Sequence, residues 1–258
     1  MIARVAVAAC VLVPASAGAG TARPPVSLVA SPAHVTLAGK ARQTIQVTNS
    51  GTEPVVVDVA RAGFALDLRG RPRIVPRGRG SRAAASWLTV RPRRLMLRPG
   101  SIASLTVTSA LPRHAEPGDH GALVLLTTRP RAGLGLAVRM RIGIVVVMRA
   151  PGAIVRRLEL RGLRVRRFGR VRVLELSVAN RGNVTEALNR GCVNVSLLRR
   201  GRLLTRLRPL ARQLLPRTSG IAEIRYGGRL RGWVTALVEL SAHDPCGQAL
   251  RRTFRIQL

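Results

Sequence analysis

Three groups of residues in this chain have the types and spacing to do chemistry. The segment His114-Ala115-Glu116-Pro117-Gly118-Asp119-His120 gathers two imidazoles and two carboxylates in one turn. Such groups ligate zinc or move protons, but the spacing matches no regular zinc pattern. The expected reading is a solvated turn leading into a strand at Gly121. A second group, Arg69-Gly70-Arg71-Pro72-Arg73 continuing to Arg77, Arg79 and Arg82, sets guanidinium groups on a Gly-rich loop. There they could pair bidentately with phosphates or carboxylates, or simply be solvated. The third group is the cysteines Cys10, Cys192 and Cys246. No nucleophile elbow, phosphate-cradling loop or zinc-spaced cysteine pair is present. With only 11 acidic residues, a working carboxylate pair is not expected either. The reading is a non-enzyme with no metal site and no cofactor.

The charge is extreme: +33 over 258 residues, with 44 basic residues of which only Lys40 is lysine. Codon usage in a GC-rich genome would favour Arg, Ala, Gly, Val and Leu. An anionic partner would favour the same excess of cations. Codon usage accounts for arginine over lysine but not for the shortage of acids. Nucleic acid is not expected, because the Arg-rich loop lacks the aromatic platforms on which bases stack and the N-terminus reads as an export signal.

That signal covers residues 1–19: a charged start, an apolar stretch at 5–14, and small-residue cleavage sites at Ala15-Ser16-Ala17 or Ala17-Gly18-Ala19. Val7-Ala8-Ala9-Cys10 resembles a lipoprotein box, but the apolar run continues beyond it, so Cys10 is expected to leave with the signal. No later run approaches the ~20 apolar residues that span a bilayer. The mature chain is therefore expected in the periplasm, the cell wall or outside the cell. In an oxidising compartment, Cys192 and Cys246 are expected to form one disulfide, with two free buried thiols as the alternative.

The elements that must position these groups repeat. Strands are expected at 35–37, 43–48, 55–60, 87–90, 102–108, 121–128 and 137–148, and again at 171–178, 193–198, 221–226, 233–240 and 253–256. Val47-Thr48-Asn49-Ser50-Gly51 in the first half answers Val178-Ala179-Asn180-Arg181-Gly182 in the second, and Leu97-Arg98-Pro99 answers Leu214-Leu215-Pro216. The order strand, Asn-x-Gly, strand, Leu-x-Pro, strand recurs throughout. This predicts an all-β chain of two tandem immunoglobulin-like sandwiches, at 27–150 and 153–258, meeting near Ala150-Pro151-Gly152. Cys192 and Cys246 then fall at one end of the second sandwich. Trp87 and Trp233 each open a strand and are expected in the cores. The strand at 142–148 is apolar on both faces. Ile142, Ile144, Val146 and Met148 alternate with Gly143, Val145 and Val147, so this strand is either covered by the second domain or offered to a partner strand by edge pairing.

Ser31-Pro32-Ala33-His34-Val35-Thr36-Leu37, the 43–49 strand, Trp87-Leu88-Thr89-Val90, Leu97-Arg98-Pro99-Gly100 and the run 142–151 resemble the N-terminal immunoglobulin-like domain of periplasmic pilus chaperones. They are equally similar to the first domain of WxL-interacting surface proteins. The resemblance spans about residues 27–151 and extends to the second module only in fold. Pilus chaperones anchor a subunit's terminal carboxylate with an Arg in the first strand and a Lys in the last, and here those places hold His34 and Val145. WxL-interacting proteins share the tandem modules, and their first module is associated with peptidoglycan. The functional expectation is an exported, non-enzymatic cell-envelope protein acting on an envelope protein or an anionic cell-wall polymer. The alternative is a periplasmic chaperone that assembles surface or pilus subunits by edge-strand pairing.

Overall fold

The computed structural model describes residues 23–75, 84–129, 139–169, 171–189, 191–241 and 249–258. The first half of the chain forms β1 (Leu28–Ser31), β2 (His34–Ala38), β3 (Arg42–Asn49), β4 (Val55–Leu66), β5 (Pro72–Val75), β6 (Leu88–Arg91), β7 (Arg94–Leu97), β8 (Ile102–Ser109), β9 (Gly118–Thr128) and β10 (Arg141–Ala150). One sheet runs β1-β3-β8-β6; the other runs β2-β10-β9-β4, with β5 and β7 pairing separate parts of β4. At Pro32, which has no N–H to give a ladder, the chain leaves one sheet for the other. β1 pairs antiparallel with β3, whereas β2 runs parallel to β10. Alternation then fills the space between the sheets: Ile45, Val47, Leu105 and Val107 from one face meet Val57, Leu126, Ile144 and Val146 from the other, all fully buried. Each such side chain contributes about 1.5–3 kcal/mol by leaving water.

The second half forms β11 (Leu158–Phe168), β12 (Val171–Asn180), β13 (Glu186–Leu188), β14 (Val193–Arg199), β15 (Arg202–Leu207), β16 (Arg212–Leu214), β17 (Ser219–Tyr226), β18 (Trp233–Leu240) and β19 (Leu250–Gln257). The sheets β11-β12-β17 and β15-β14-β18-β19 enclose a core of Leu174, Leu176, Val195, Leu197, Ile224 and Val238, with β13 and β16 paired beside them. The chain is two tandem β-sandwiches, as its repeat predicts. The helix among the described residues is one 3-10 turn, Ala85–Trp87, and no helix is long and apolar enough to cross a membrane.

The repeated Asn-x-Gly has a structural cause. Asn49 and Asn180 are fully buried. Asn49 Nδ2 donates to the carbonyls of Glu53 (2.7 Å) and Leu97 (3.2 Å), and its Oδ1 accepts the Gly51 N–H (3.0 Å). Asn180 does the same with Val184 (2.7 Å), Leu214 (3.1 Å) and Gly182 (2.9 Å). Each asparagine thus ties the turn after its strand to the leucine of the Leu-x-Pro motif in its own sandwich. Each glycine is needed for close approach: a Cβ on Gly51 would lie 2.5 Å from the Pro25 carbonyl oxygen, and one on Gly182 would lie 2.3 Å from that of Val155.

Several elements depart from the sequence reading. β11 was not expected, because the arginines on its outward face (Arg161, Arg164, Arg166) break the apolar alternation. β9 begins at Gly118, not Gly121, so Asp119 and His120 are buried rather than solvated. The Arg-rich loop contains β5, paired to the end of β4. Trp87 is partly buried, its ring 4.4 Å from that of His120, but Trp233 is 55% exposed. Trp233 opens β18 on the outward register, where Val234 takes the core position, and the Arg255 guanidinium stacks on its ring at 4.9 Å.

Replacing Asn180 strands three buried backbone groups, and replacing Asn49 two buried and one part-buried, each buried one worth about 1–3 kcal/mol when unpaired. Asn180→Ala is expected to destabilise the second sandwich by roughly 3 kcal/mol, and Asn49→Ala the first by a similar amount. Denaturant unfolding followed separately by Trp233 and Trp87 emission checks the assignment of each asparagine to its own sandwich.

Candidate functional site

The residues that can engage a partner lie along β10 and in the cleft where the two sandwiches meet. β10 pairs with β9 along its whole length, from Arg141↔Thr127 to Ala150↔Gly118. On its other side β2 covers only Val145 to Arg149. The Val145 N–H donates to the Ala33 carbonyl at 3.1 Å. Strand direction alternates with period two, so the N–H groups of Gly143 and Arg141 point the same way, where no described strand lies. Among the described residues the stretch 141–144 is therefore an open half-edge. Of the side chains singled out from sequence, Ile144, Val146 and Met148 are fully buried in the first core and Ile142 packs partly against it. What this stretch presents outward is its backbone ladder.

The half-edge leads at Val145 into a cleft of about 390 Å³, lined by Phe64, Leu66, Arg69, Val145, Arg212 and Glu223 among others. The β4–β5 hairpin positions Arg69. Its turn is closed by Asp67 Oδ1, which accepts the N–H groups of Arg69 (2.8 Å) and Arg71 (2.9 Å). The hairpin lies against the second sandwich through the Ile221 N–H, which donates to the Leu68 carbonyl at 2.7 Å. Arg69 then reaches Glu175 (2.8 Å) and Glu223. Arg212 reaches back, donating to the carbonyls of Leu68 (2.6 Å) and Asp67 (3.1 Å) and, in its own sandwich, to Ile221 (2.5 Å). Its buried Nε has no acceptor. Burial lowers the Arg212 pKa, opposed by the charges of Asp67 and Glu223.

A second set of contacts fastens the sandwiches at the other side of the seam. Asp119, buried at the start of β9, takes Arg149 through both oxygens (2.7 and 3.1 Å) and accepts the Thr185 N–H at 2.7 Å. The Asp119 N–H donates to the Asn183 carbonyl at 2.7 Å. Asn183 Nδ2 donates to the carbonyls of Pro117 (3.1 Å) and Ala153 (2.8 Å). Gly118, at φ +105°, makes this approach possible, since a Cβ there would stand 2.1 Å from the Asn183 oxygen. Next to it, the buried Glu186 carboxylate is held by Arg156 at 3.0 Å. Burial raises the Glu186 pKa, with Arg156 pulling the other way.

Of the arginines singled out from sequence, Arg69 is thus held across the seam, Arg71 and Arg73 are exposed, and Arg77, Arg79 and Arg82 lie outside the described residues. Cys192 is buried at the start of β14 and disulfide-bonded; Cys246 lies outside the described residues. The two histidines of the 114–120 segment are apart in role. His114 is exposed, while His120 Nε2 pairs with the Glu116 carbonyl at 2.7 Å. Sequence reasoning picked out Asp119 but took it as solvated, and it missed Asn183 and Arg212. A cue for Asp119 was its place between Pro117-Gly118 and an apolar run; Arg212 left none.

No protein-family model and no curated protein matches this chain. Solved structures do match it in fold. A class 5 fimbriae chaperone, CfaA, is 13% identical over 88% of this chain and 98% of its own, with a TM-score of 0.50. A chaperone–tip adhesin complex of CFA/I fimbriae biogenesis matches at 12% identity over the same shares, also with a TM-score of 0.50. The tandem immunoglobulin-like sandwich of pilus chaperones is the fold of this chain.

Glu186 yields a pH prediction. Its folded pKa is raised, so its favourable contribution is complete below the unfolded carboxylate range and is lost as pH rises through the folded value. Arg156→Met removes the opposing cation and leaves a buried charge, at a cost of about 3–5 kcal/mol when ionised. The deficit relative to wild type should be small at a pH below the ordinary carboxylate pKa and grow at a pH well above it. Urea midpoints at the two pH values measure it, and adding Glu186→Gln should remove the pH dependence.

Proposed function

We propose that this chain is an exported, non-enzymatic assembly factor of the cell envelope, a periplasmic chaperone that holds a subunit by pairing the subunit's strand with the open half of β10. The single observation that carries this reading is the half-edge itself. An exposed ladder on a long central strand invites pairing with another chain, and here it opens beside an arginine-bearing cleft. The fold likeness to a fimbrial chaperone and to a chaperone–adhesin complex supports a subunit strand as the occupant. No observation in the site favours a cell-wall polymer over it.

The resemblance puts anchoring cations at the places of His34 and Val145. These two do face each other in the β2–β10 register, but neither carries a fixed charge: burial lowers the His34 pKa, with Asp119 opposing. The permanent cations of the cleft come instead from Arg69 and Arg212. With no carboxylate bonded to it among the described residues, Arg212 is the cleft residue to which we assign the partner's carboxylate; its Nε is buried and takes no part in that contact. The reading also places the disulfide partner of Cys192 at Cys246, bracing the second sandwich at its Cys192 end.

Two tests follow. Gly143→Pro removes an outward N–H while sparing the β9 ladder, the placement at which a strand tolerates proline. The tagged mature protein should co-purify with an envelope subunit and the Gly143→Pro variant should not, at an unchanged thermal midpoint; equal capture contradicts strand pairing. Peptide mass spectrometry without reductant should find Cys192 linked to Cys246, and two alkylatable thiols would contradict that pairing.

A further inference from the structure

We propose that the end of the second sandwich farthest from the first is a docking surface for an anionic phospholipid bilayer. Three turns meet there: β11–β12, β14–β15 and β17–β18. Val171 pairs with Phe168 and Arg172 with Tyr226, which brings the first turn beside the third. Arg172 donates to the Leu230 carbonyl at 3.0 Å, and Arg199 to that of Arg231, which ties the β14–β15 turn to the β17–β18 turn. The opposite end of the same strands carries Asn180 and Asn183 and faces the first sandwich, so this tip points away from the β10 half-edge.

Its composition sets it apart. Arg167, Arg172, Arg229 and Arg231 line one open hollow, with Arg200 and Arg202 on the neighbouring turn. The three turns contain no aspartate or glutamate, whereas Asp67, Glu116, Asp119, Glu175, Glu186 and Glu223 are gathered at the seam between the sandwiches. Among these arginines stand exposed apolar side chains: Phe168 (51%), Val171 (43%), Leu203 (45%) and Trp233 (55%). Arg166 lies over the Phe168 ring at 5.0 Å and Arg255 over that of Trp233 at 4.9 Å.

A soluble anion would engage the guanidinium groups but offer nothing to the four apolar side chains. A bilayer offers phosphates to the arginines and the headgroup boundary to Trp and Phe, whose amphipathic or apolar rings lodge at that depth. The apolar groups sit on or beside convex turns rather than in a groove, which suits a soft surface that closes around them. Anionic lipid supplies the opposite charge.

The test separates this tip from the chain's general charge. One variant carries Arg167→Gln, Arg229→Gln and Arg231→Gln; a control carries Arg42→Gln, Arg98→Gln and Arg113→Gln, with the same loss of charge on the first sandwich. Both are sedimented with vesicles of phosphatidylcholine alone or mixed with phosphatidylglycerol. Wild type and control should pellet with the anionic vesicles only, and the tip variant should bind them about a hundredfold more weakly. In a Trp87→Phe background, Trp233 emission should shift to the blue on anionic vesicles. Equal weakening of the two variants, or an unmoved Trp233 emission, would overturn the proposal. So would tip-dependent retention on soluble polyglutamate as strong as that on vesicles, which would assign the tip to a soluble acidic partner.

Discussion

The hydrogen bond from the Val145 N–H to the Ala33 carbonyl marks where β2 stops covering β10. From that bond onward β10 is an interior strand, with a parallel neighbour on one side and β9 on the other. Before it, at 141–144, the same strand is an edge. The change follows from the short reach of β2, whose five residues are set in the sheet only after the chain has crossed from the β1 ladder at Pro32. A β2 four residues longer at its N-terminus would close the edge, and the first sandwich would then have no free ladder next to its cleft. The apolar side chains of β10 do not alter this, since they are consumed by the core; the site is made of backbone.

A short edge beside a cleft can orient a partner only if the cleft's two walls are fixed. Six of the chain's 11 acids are placed there. Glu175 and Glu223 hold Arg69 from one wall to the other, and Asp119 joins Arg149 to the Thr185 backbone. The ion pairs here are partly buried and share carboxylates, which lifts them above exposed pairs that contribute about 0–1 kcal/mol. Arg212 adds three donors to backbone carbonyls across and along the same wall. The scarcity of carboxylates and the excess of arginine thus have a spatial pattern: six of the 11 acids lie at the seam, and the three turns at the far tip of the second sandwich contain none, although Arg166 beside them reaches back to Glu175.

Much of the fold was legible because a buried polar residue in an apolar frame is a strong signal. Asn49 and Asn180 stood out by repeating with the same neighbours, and the structure gives each the same three bonds. The alternation of Ile142 to Met148 likewise marked the strand that bears the half-edge. Its faces were not legible, since a strand apolar on both sides gives no preference until β9 and the second sandwich are in place. β11 was hidden by its outward arginines. Asp119 resembled a solvated turn because burial there comes from Asn183 and Thr185, far along the chain. Arg69 and Arg212 are brought together only when the β4–β5 hairpin packs against β17, a contact between distant segments that no local pattern announces. Trp233 was assigned to the core by its size, but its register along β18 turns it outward.

The account rests on β10 being covered for half its length, and residue-resolved amide hydrogen exchange reads that directly. In the free protein the outward amides of Arg141 and Gly143 should exchange orders of magnitude faster than those of Val145 and Val147 on the same side of the strand, while Ile142 and Ile144, bonded to β9, stay protected. Uniform protection from Arg141 to Val147 would mean that another segment already covers the edge, and would contradict the site.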